Sequence, residues 1–267
     1  VRNDLAAYFD ALRPRNPNYR ALRKAYAVEV DDEKRSALAL NLERWRWMPL
    51  IMGDKYLLVN AASFEVTLWE NGEAVRTWPV IVGKARSPTP IFDATVSGAI
   101  LNPWWEIPTS IVAEGIGSMV RNNPARARSR GYVYQDGRYR QRPGPGNALG
   151  QMKLVMPNAF SVYLHDTPNK NLFSEEVRTF SHGCIRVGGA IDLVKTLLAG
   201  SATAEEVDDI LASRKTTRLS TTKPIPIYIS YFTAEGAGDG TVTYFQDVYG
   251  RDNLKLAQNE RATACAA

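Results

Sequence analysis

The strongest constraint on the fold is a pair of short β-type runs that meet at Asn71-Gly72, within SFEVTLWENGEAVRTWPVIVGK. The runs are rich in valine, threonine and aromatic residues, which are enriched in strands. An Asn-Gly pair favours the positive φ angles of a two-residue hairpin turn. Similar runs, KYLLVN and ATVSGAIL, lie on either side. We therefore expect a hairpin-rich sheet that begins near Pro49.

Residues 1–48 have a helical pattern instead. Two short helix-like pieces separated by PRNP precede DDEKRSALALNLERWRW. In that last stretch the first turn is acidic, and Leu38, Leu42 and Trp45 recur at helical spacing. The sequence thus predicts an N-terminal helical arm that packs, through its tryptophans, against the domain that follows.

Residues 102–150 are more polar than their surroundings and are predicted to be an insertion on the sheet. They contain a predicted helix from Thr109 to Arg121, an arginine-rich run and the turn-forming RPGPGNALG. The borders Asn102-Pro103 and RPGPG are candidate hinges. Strands are expected to resume in MKLVM and FSVYLH, followed by the helices AIDLVKTLLAG and TAEEVDDILAS and the closing strands IPIYISYF and TVTYFQDV.

These patterns predict an α+β fold that is mainly β. We expect one domain over residues 49–253, after the helical arm, and a flexible tail over 254–267. No stretch approaches the roughly 18 apolar residues of a membrane span, so no integral membrane segment is expected. The chain opens on Val1 without an apolar leader, which suggests a processed or truncated product whose export signal is not in view.

The formal charge of +5 and the pI of about 9.2 indicate a mildly basic surface, with an acidic polymer as the alternative interpretation. The densest basic stretch, residues 121–142, matches no nucleic-acid-binding signature, so nucleic acid is not an expected partner. Two histidines and two cysteines without a C-x-x-C pair make a structural zinc site unexpected. No metal or organic cofactor is implied.

The scarce cysteines and histidines cluster in one region. Cys184 and His182 share the turn FSHGCIRVGG, and His165 lies 19 residues before Cys184. In a strand SVYLH the side chains alternate between faces, so Tyr163 and His165 would point together toward a cleft. A disulfide between Cys184 and Cys265 is the structural alternative, although a tail residue is a poor anchor.

This arrangement suits an activated thiol. An imidazole can take the proton of a cysteine whose unperturbed pKa lies near 8.5, and the sulfur can then attack an acyl carbon. Glycines at Gly183 and Gly188-Gly189 permit the backbone angles that direct N–H groups at a developing oxyanion. The spacing alone leaves open a second reading, in which Cys184 is a small buried hydrophobe in an ordinary turn.

The motif SHGC, with a histidine 16 positions before its serine, resembles the signature of the L,D-transpeptidases. In that family the motif is histidine, a spacer, Ser/Thr-His-Gly-Cys, an apolar residue and asparagine. Ile185 fits the apolar position, whereas Arg186 replaces the asparagine, as is usual in the larger Gram-negative type. Other stretches resemble that type over residues 36–253, namely NLERWRW, VIVGKARSPTPIF, NPWWEIP, YLHDTPNKNLF and DVYGRDN.

The resemblance implies a mostly β catalytic domain of two mixed sheets in a sandwich-like arrangement, preceded by a helical scaffold segment. Residues 102–150 would form a lid over the active site, and we call them the capping segment. The implied substrate is a peptidoglycan tetrapeptide stem. The enzyme would release its D-alanine through a thioester and pass the acyl group to a neighbouring diamino acid, giving a 3→3 cross-link. Carbapenems are the implied inhibitors, and the periplasm or cell envelope is the implied location.

On this resemblance Cys184 is the nucleophile and His165 the general base. His182 is expected to position the loop, and the N–H groups of Gly183 and Cys184 are oxyanion-hole candidates. Arg186 would bind a substrate carboxylate or, alternatively, brace the loop by a salt bridge. Asp166 would orient the imidazole, although a carbonyl could do so. The remaining predicted substrate-binding or lid residues are Tyr163, Ser181, Thr167, Trp104 and Trp105.

Other functions remain open at this point. The same site could trim stems as an L,D-carboxypeptidase, or link an envelope protein to peptidoglycan. A non-catalytic wall-binding module is the alternative from another class, and it would have no need of an activated thiol. A papain-type peptidase is disfavoured because the local context differs and the histidine precedes the cysteine.

Overall fold

A computed structural model describes residues 2–252 of the chain. By their internal contacts these residues form two compact units. The first combines residues up to Thr77 with residues from Tyr228 onward, and the second comprises Trp78–Ile227. The predicted tail, residues 254–267, lies outside the described residues. The predicted domain boundaries therefore stay a prediction.

Three helices begin the first unit, in agreement with the pattern of residues 1–48. Asn16 caps the second helix through its side chain, with Pro17 in the first turn, and Asp31 caps the third by accepting the Lys34 N–H. Such caps satisfy N–H groups that the helix itself leaves unpaired. The helices are α1 (Arg2–Ala11), α2 (Pro17–Val28) and α3 (Asp32–Arg46).

The predicted hairpin is present in the first unit. Asn71 and Gly72 have φ angles of 52° and 84°, as a turn with two left-handed residues requires. The strands on either side of this turn, β2 (Glu65–Glu70) and β3 (Glu73–Gly83), pair with each other, and β1 (Lys55–Asn60) pairs antiparallel with β2. The unit includes the first part of β3 and the last part of β12 (Thr217–Ser230). Its core contains Trp45, whose ring stacks on Phe232 at 4.5 Å. The strands are β1 (Lys55–Asn60), β2 (Glu65–Glu70), β3 (Glu73–Gly83), β12 (Thr217–Ser230), β13 (Ala234–Gly236) and β14 (Val242–Tyr244).

A mixed sheet forms the centre of the second unit, in the order β10-β3-β11-β9-β8-β4-β12. Its pairs β9–β11 and β10–β3 are parallel, whereas β3–β11, β8–β9 and β4–β8 are antiparallel. The helices α7 and α8 follow β11, and a Thr203–Glu206 capping box begins α8. The elements are β4 (Phe92–Leu101), β8 (Met152–Val155), β9 (Leu164–His165), β10 (Thr179–Ser181), β11 (Ile185–Val187), α7 (Ala190–Leu198) and α8 (Ala204–Ser213).

The capping segment contains a small sheet of its own, ordered β5-β7-β6, and a helical stretch between β5 and β6. Trp105, Ile107 and Leu149 form its buried core. The predicted helix from Thr109 to Arg121 is interrupted, because Val112–Ile116 form a π turn in which Gly115 has φ 125°. The elements are β5 (Trp105–Glu106), α4 (Thr109–Ile111), α5 (Gly117–Asn122), α6 (Pro124–Ser129), β6 (Tyr132–Gln135) and β7 (Arg138–Gln141).

The prediction of a mainly β, α+β fold with a mixed sheet is confirmed. Two strands were predicted too long. Ser161 has φ 54° and interrupts the extended chain before β9, and the predicted strand TVTYFQDV is limited to β14. Among the described residues, no helix is both long and apolar enough to cross a membrane.

Candidate active site

The register of β9 and β11 brings the histidine and the cysteine to one face of the sheet. Leu164 pairs with Ile185 and His165 pairs with Arg186, in parallel. The Ile185 N–H also donates to the Tyr163 carbonyl at 3.0 Å. Cys184 precedes β11 and therefore lies beside Tyr163. Because paired residues share a face, Cys184 lies on the same face as His165, two positions along the neighbouring strand.

His165 is held in the tautomer that a general base requires. Its ring is buried, with 5% exposure, and Nδ1 hydrogen-bonds the backbone carbonyl of Asp166. A carbonyl only accepts, so Nδ1 carries the proton and Nε2 keeps a free lone pair. Burial, and secondly the charge of Arg186, lower the pKa of His165 to about 3. The imidazole is therefore neutral at physiological pH.

Cys184 is a free, half-buried thiol. Burial raises its pKa, while hydrogen bonds from the Tyr163 N–H and hydroxyl and the charges of Lys153 and Arg186 act in the opposite direction. The resting site thus pairs a neutral thiol with a neutral imidazole rather than a thiolate with an imidazolium. Proton transfer must accompany the attack of the sulfur on an acyl group.

The loop that carries Cys184 is fixed by buried hydroxyl groups. The Ser181 hydroxyl donates to the Cys184 carbonyl at 2.5 Å and accepts the Gly183 N–H at 3.0 Å. The Thr89 hydroxyl donates to the Gly183 carbonyl at 3.0 Å and accepts the Gly83 N–H at 2.9 Å. Gly183 has φ 109°, which favours glycine. Of the two predicted oxyanion donors, the Gly183 N–H is engaged with Ser181, so the Cys184 N–H is the better candidate.

Three predicted substrate-binding residues lie inside the protein. Asp166, Thr167 and Ser181 are all buried, and the side chain of each hydrogen-bonds a backbone group of the protein. The Asp166 carboxylate accepts the Gln151 N–H at 2.9 Å and pairs with Lys170, while its carbonyl, not its carboxylate, holds the imidazole. These positions do not favour direct contact with a substrate, which stays a prediction for them.

Tyr163 connects the capping segment with the sheet face that carries His165 and Cys184, which we call the catalytic face. The hydrophobic body of Tyr163 packs against the buried cluster of Trp105, Ile107 and Leu149. The Trp105 side chain hydrogen-bonds Tyr163, and burial raises the pKa of the phenol. Trp105 is therefore a core residue of the capping segment. Trp104 is half-buried, and the guanidinium of Arg140 lies 4.8 Å from the centroid of its ring.

His182 contacts the capping segment rather than the thiol. Its Nε2 lies 3.2 Å from Oε1 of Glu114, a residue of the π turn. Val112 and Ile116 of the same turn pack on the core of the segment. Glu114 lies two positions from each, so it faces the other way, toward His182. This contact agrees with the predicted positioning role.

Three buried side-chain amides hold the base of the capping segment. Asn147 donates to the carbonyls of Pro103 and Arg142 at 3.1 and 2.9 Å, and Gln141 donates to that of Gly146 at 2.8 Å. Asn102 is buried and donates to the Ile210 carbonyl at 2.8 Å. These bonds fasten the borders that the sequence suggested as hinges, because motion there would expose unpaired polar groups.

Sequence reasoning missed Thr89, Lys153, Glu114 and Asn147 as parts of the site. Lys153 pairs across the sheet with His165, and its Nζ lies 3.8 Å from the centroid of the Tyr163 ring. Arg186 makes no ion pair with the described residues, so the predicted salt bridge is not formed among them. A lysine inside the expected strand MKLVM was the one available signal, since charge is uncommon in a buried strand.

Comparisons with known proteins agree with this site. Residues 54–210 match the family model described as the L,D-transpeptidase catalytic domain, YkuD. A Haemophilus influenzae protein named "Putative L,D-transpeptidase" is 28% identical over 282 residues, covering 96% of this chain and 57% of that protein. The chain thus spans less than two thirds of the length of this relative.

Solved structures of the same class give weaker similarities. An L,D-transpeptidase from Mycobacterium smegmatis aligns over 66% of this chain and 58% of its own, with 16% identity and a TM-score of 0.35. L,D-transpeptidase 3 from Mycobacterium tuberculosis, in complex with a faropenem-derived adduct, aligns over 66% and 60%, with 14% identity and a TM-score of 0.34. The family model, in contrast, matches more than half of the chain and includes both His165 and Cys184. The chain belongs to the L,D-transpeptidase (YkuD) family.

Proposed function

We propose that this chain is a cysteine-dependent L,D-transpeptidase that forms 3→3 cross-links in peptidoglycan. One observation carries the proposal: the Cys184 sulfur lies beside Tyr163, on the same face as a buried His165 whose Nε2 is free. A thiol and a neutral imidazole on one face are the two groups that thiol acyl transfer requires. Family membership supports the reaction class. The reaction needs no metal or organic cofactor.

In the first half-reaction the thiol proton moves to His165 Nε2 while sulfur attacks the carbonyl carbon of the third stem residue. The Cys184 N–H is the proposed donor to the oxyanion. When the intermediate collapses, the C–N bond to D-alanine breaks, and the imidazolium returns the proton to the leaving amine. The low pKa of His165 favours this return, because it makes the protonated ring a better proton donor than an ordinary imidazolium.

In the second half-reaction the side-chain amine of a neighbouring diamino acid attacks the thioester. His165 accepts a proton from that amine. The C–S bond then breaks, and the imidazolium returns the proton to the departing sulfur, which regenerates the thiol. Arg186, half-buried and beside His165, is the proposed anchor for a substrate carboxylate. We further propose that Tyr163 and Trp104 contact the stem peptide, and that carbapenems acylate Cys184.

The charge of the capping segment supports an acidic partner. Residues 102–150 contain seven arginines and three acidic residues, so they carry +4 of the net charge of +5 of the chain. Peptidoglycan stems carry carboxylates, and a basic surface raises their local concentration. We propose that this segment is a lid in a domain over residues 49–253, after a helical scaffold, and that the enzyme works in the cell envelope.

The test is mass spectrometry of the products formed from peptidoglycan fragments with defined tetrapeptide stems. A cross-linked dimer with loss of one D-alanine is expected, and none from Cys184→Ala. Tripeptide products without dimer would instead support an L,D-carboxypeptidase. A product linked to an envelope protein would support the attachment reaction. Unchanged fragments with wild-type protein that still binds them would favour a non-catalytic wall-binding module.

A further inference from the structure

We propose that Lys153 supplies the positive charge that stabilises the Cys184 thiolate as it forms, acting across the ring of Tyr163. The inference rests on the proposed function, since it assigns a positioning residue to the same reaction. The sequence pattern, the family signature and the Cys–His pairing do not assign Lys153 any role.

The position of Lys153 follows from the register of three strands. Lys153 of β8 pairs with His165 of β9, which pairs with Arg186 of β11. These three side chains form one row on one face of the sheet, and Tyr163 and Cys184 form the next row. Lys153 is therefore one row and two strands from Cys184, with Tyr163 of the intervening segment between them.

The ammonium group is fixed in this place by the aromatic ring. Lys153 Nζ lies 3.8 Å from the centroid of the Tyr163 ring, within cation–π distance. The same tyrosine hydrogen-bonds the Cys184 sulfur through its N–H and its hydroxyl. One residue thus joins the cation and the nucleophile, so Lys153 needs no direct contact with the sulfur to act on it.

Few other charged groups near the sulfur could stabilise the thiolate. His165 is neutral, because burial lowers its pKa to about 3. Lys170 is paired with the Asp166 carboxylate. Lys153 and Arg186 are then the cations that face the sulfur. Lys153 in turn faces Glu106 and, once it has formed, the Cys184 thiolate. Because His165 is neutral until it takes the thiol proton, these cations are the positive charges near the sulfur before the reaction begins.

The partial burial of Lys153 strengthens its interaction with the Cys184 thiolate. Lys153 is half-buried, and burial lowers its pKa while Cys184 raises it. A half-buried charge is screened less by water and salt than an exposed one, so it acts at greater strength over the same distance. Lys153 could also serve only as packing on Tyr163, and a substitution that keeps the length but removes the charge distinguishes the two roles.

The experiment measures the rate of Cys184 alkylation by the neutral reagent iodoacetamide as a function of pH, in a Cys265→Ser background. Lys153→Met keeps the chain length and removes the charge, Lys153→Arg keeps the charge, and Lys195→Met removes an equal charge from the α7 surface. Lys153→Gln serves as a second neutral variant, and thermal unfolding verifies that each protein is folded.

We expect the midpoint of the pH dependence of alkylation to rise by about one pH unit in Lys153→Met and Lys153→Gln. Alkylation at neutral pH should slow about tenfold. Lys153→Arg should stay within about threefold of wild type, as should Lys195→Met. An unchanged midpoint in a folded neutral variant would overturn the inference. So would an equal shift in Lys153→Arg or in Lys195→Met.

Alkylation requires no peptidoglycan, so this result is separate from the test of the proposed function. A shifted midpoint together with absent cross-linking would refute the transpeptidase proposal and retain the role of Lys153 at the thiol. Normal cross-linking with an unshifted midpoint would support the transpeptidase proposal and refute the role of Lys153.

Discussion

The Cys184 loop and the capping segment belong to the same unit, but different contacts join them to the catalytic face. Buried hydroxyls of Thr89 and Ser181 bond the backbone of the loop directly. The capping segment has a small core of its own and reaches the catalytic face through side chains, notably Trp105 to Tyr163 and Glu114 to His182. A loop fixed through its backbone preserves the geometry of a reaction, whereas side-chain contacts allow the cover to adjust to a substrate.

The largest effect should come from His165→Gln, on the catalytic face. Losing the general base should slow D-alanine release about a thousandfold. The midpoint of Cys184 alkylation should change little, because the imidazole is already neutral. Single-turnover acylation and alkylation measure these separately. His182→Gln is the control, and an equal loss there would contradict the assignment of the base.

The same histidine should limit stability in acid. Its pKa is about 3 in the folded protein against about 6.5 unfolded, so the unfolded chain binds more protons between those values. Stability should therefore fall as the pH drops from 6.5 toward 3, by about 3 kcal/mol at pH 4 from this group. Urea unfolding measures the free energy of unfolding at pH 7 and at pH 4. The difference between the two values should be smaller for His165→Gln than for wild type.

Thr89→Val should damage the loop rather than the chemistry. It removes the two buried hydrogen bonds that the Thr89 hydroxyl makes with the Gly83 N–H and the Gly183 carbonyl. We expect a loss of about 2 kcal/mol in unfolding free energy and D-alanine release slower by about 30-fold. Thr67→Val, at an exposed threonine pair, is the matched control. Equal effects of both would show that the loop needs no such support.

Gly115→Ala tests the capping segment with a smaller expected effect. A Cβ there meets no atom within 4 Å, but φ 125° is unfavourable for alanine. The π turn that carries Glu114 should shift, lowering transfer about fivefold while alkylation of Cys184 is unchanged. Gly137→Ala, also at positive φ in open space, is the control in the β6–β7 turn. A parallel loss of alkylation would mean that the segment also shapes the catalytic face.

Glu114→Gln should have the smallest effect. The pair with His182 is partly exposed, and such pairs contribute about 0.2–1 kcal/mol. Transfer should fall about twofold to threefold. Steady-state cross-linking at low and high salt measures this, with Glu205→Gln on α8 as the control. A loss as large as that of Thr89→Val would make the contact a structural requirement and remove the contrast between the two regions.

Much of the fold was predictable because it depends on neighbouring residues. The Asn71-Gly72 turn, the three N-terminal helices and the helices after β11 were all predicted from local patterns and observed. The interruption at Ser161 and the π turn were not predicted. The Asn158 side chain bonds both the N–H and the carbonyl of Val162 around the first, and Gly115, at φ 125°, breaks the helical angles in the second. Both override the strand and helix propensities of their neighbours. For the site, the sequence identified His165 and Cys184 through their scarcity and spacing.

The sequence by itself determined the local elements and the chemical groups available for an acyl transfer. Only the tertiary structure decided that Thr89 bridges Gly83 to Gly183 and that Lys153 lies over Tyr163. The physical reason is that turn and helix preferences arise from steric limits within a few residues. Contacts between distant residues depend instead on strand register and packing, which no local pattern specifies.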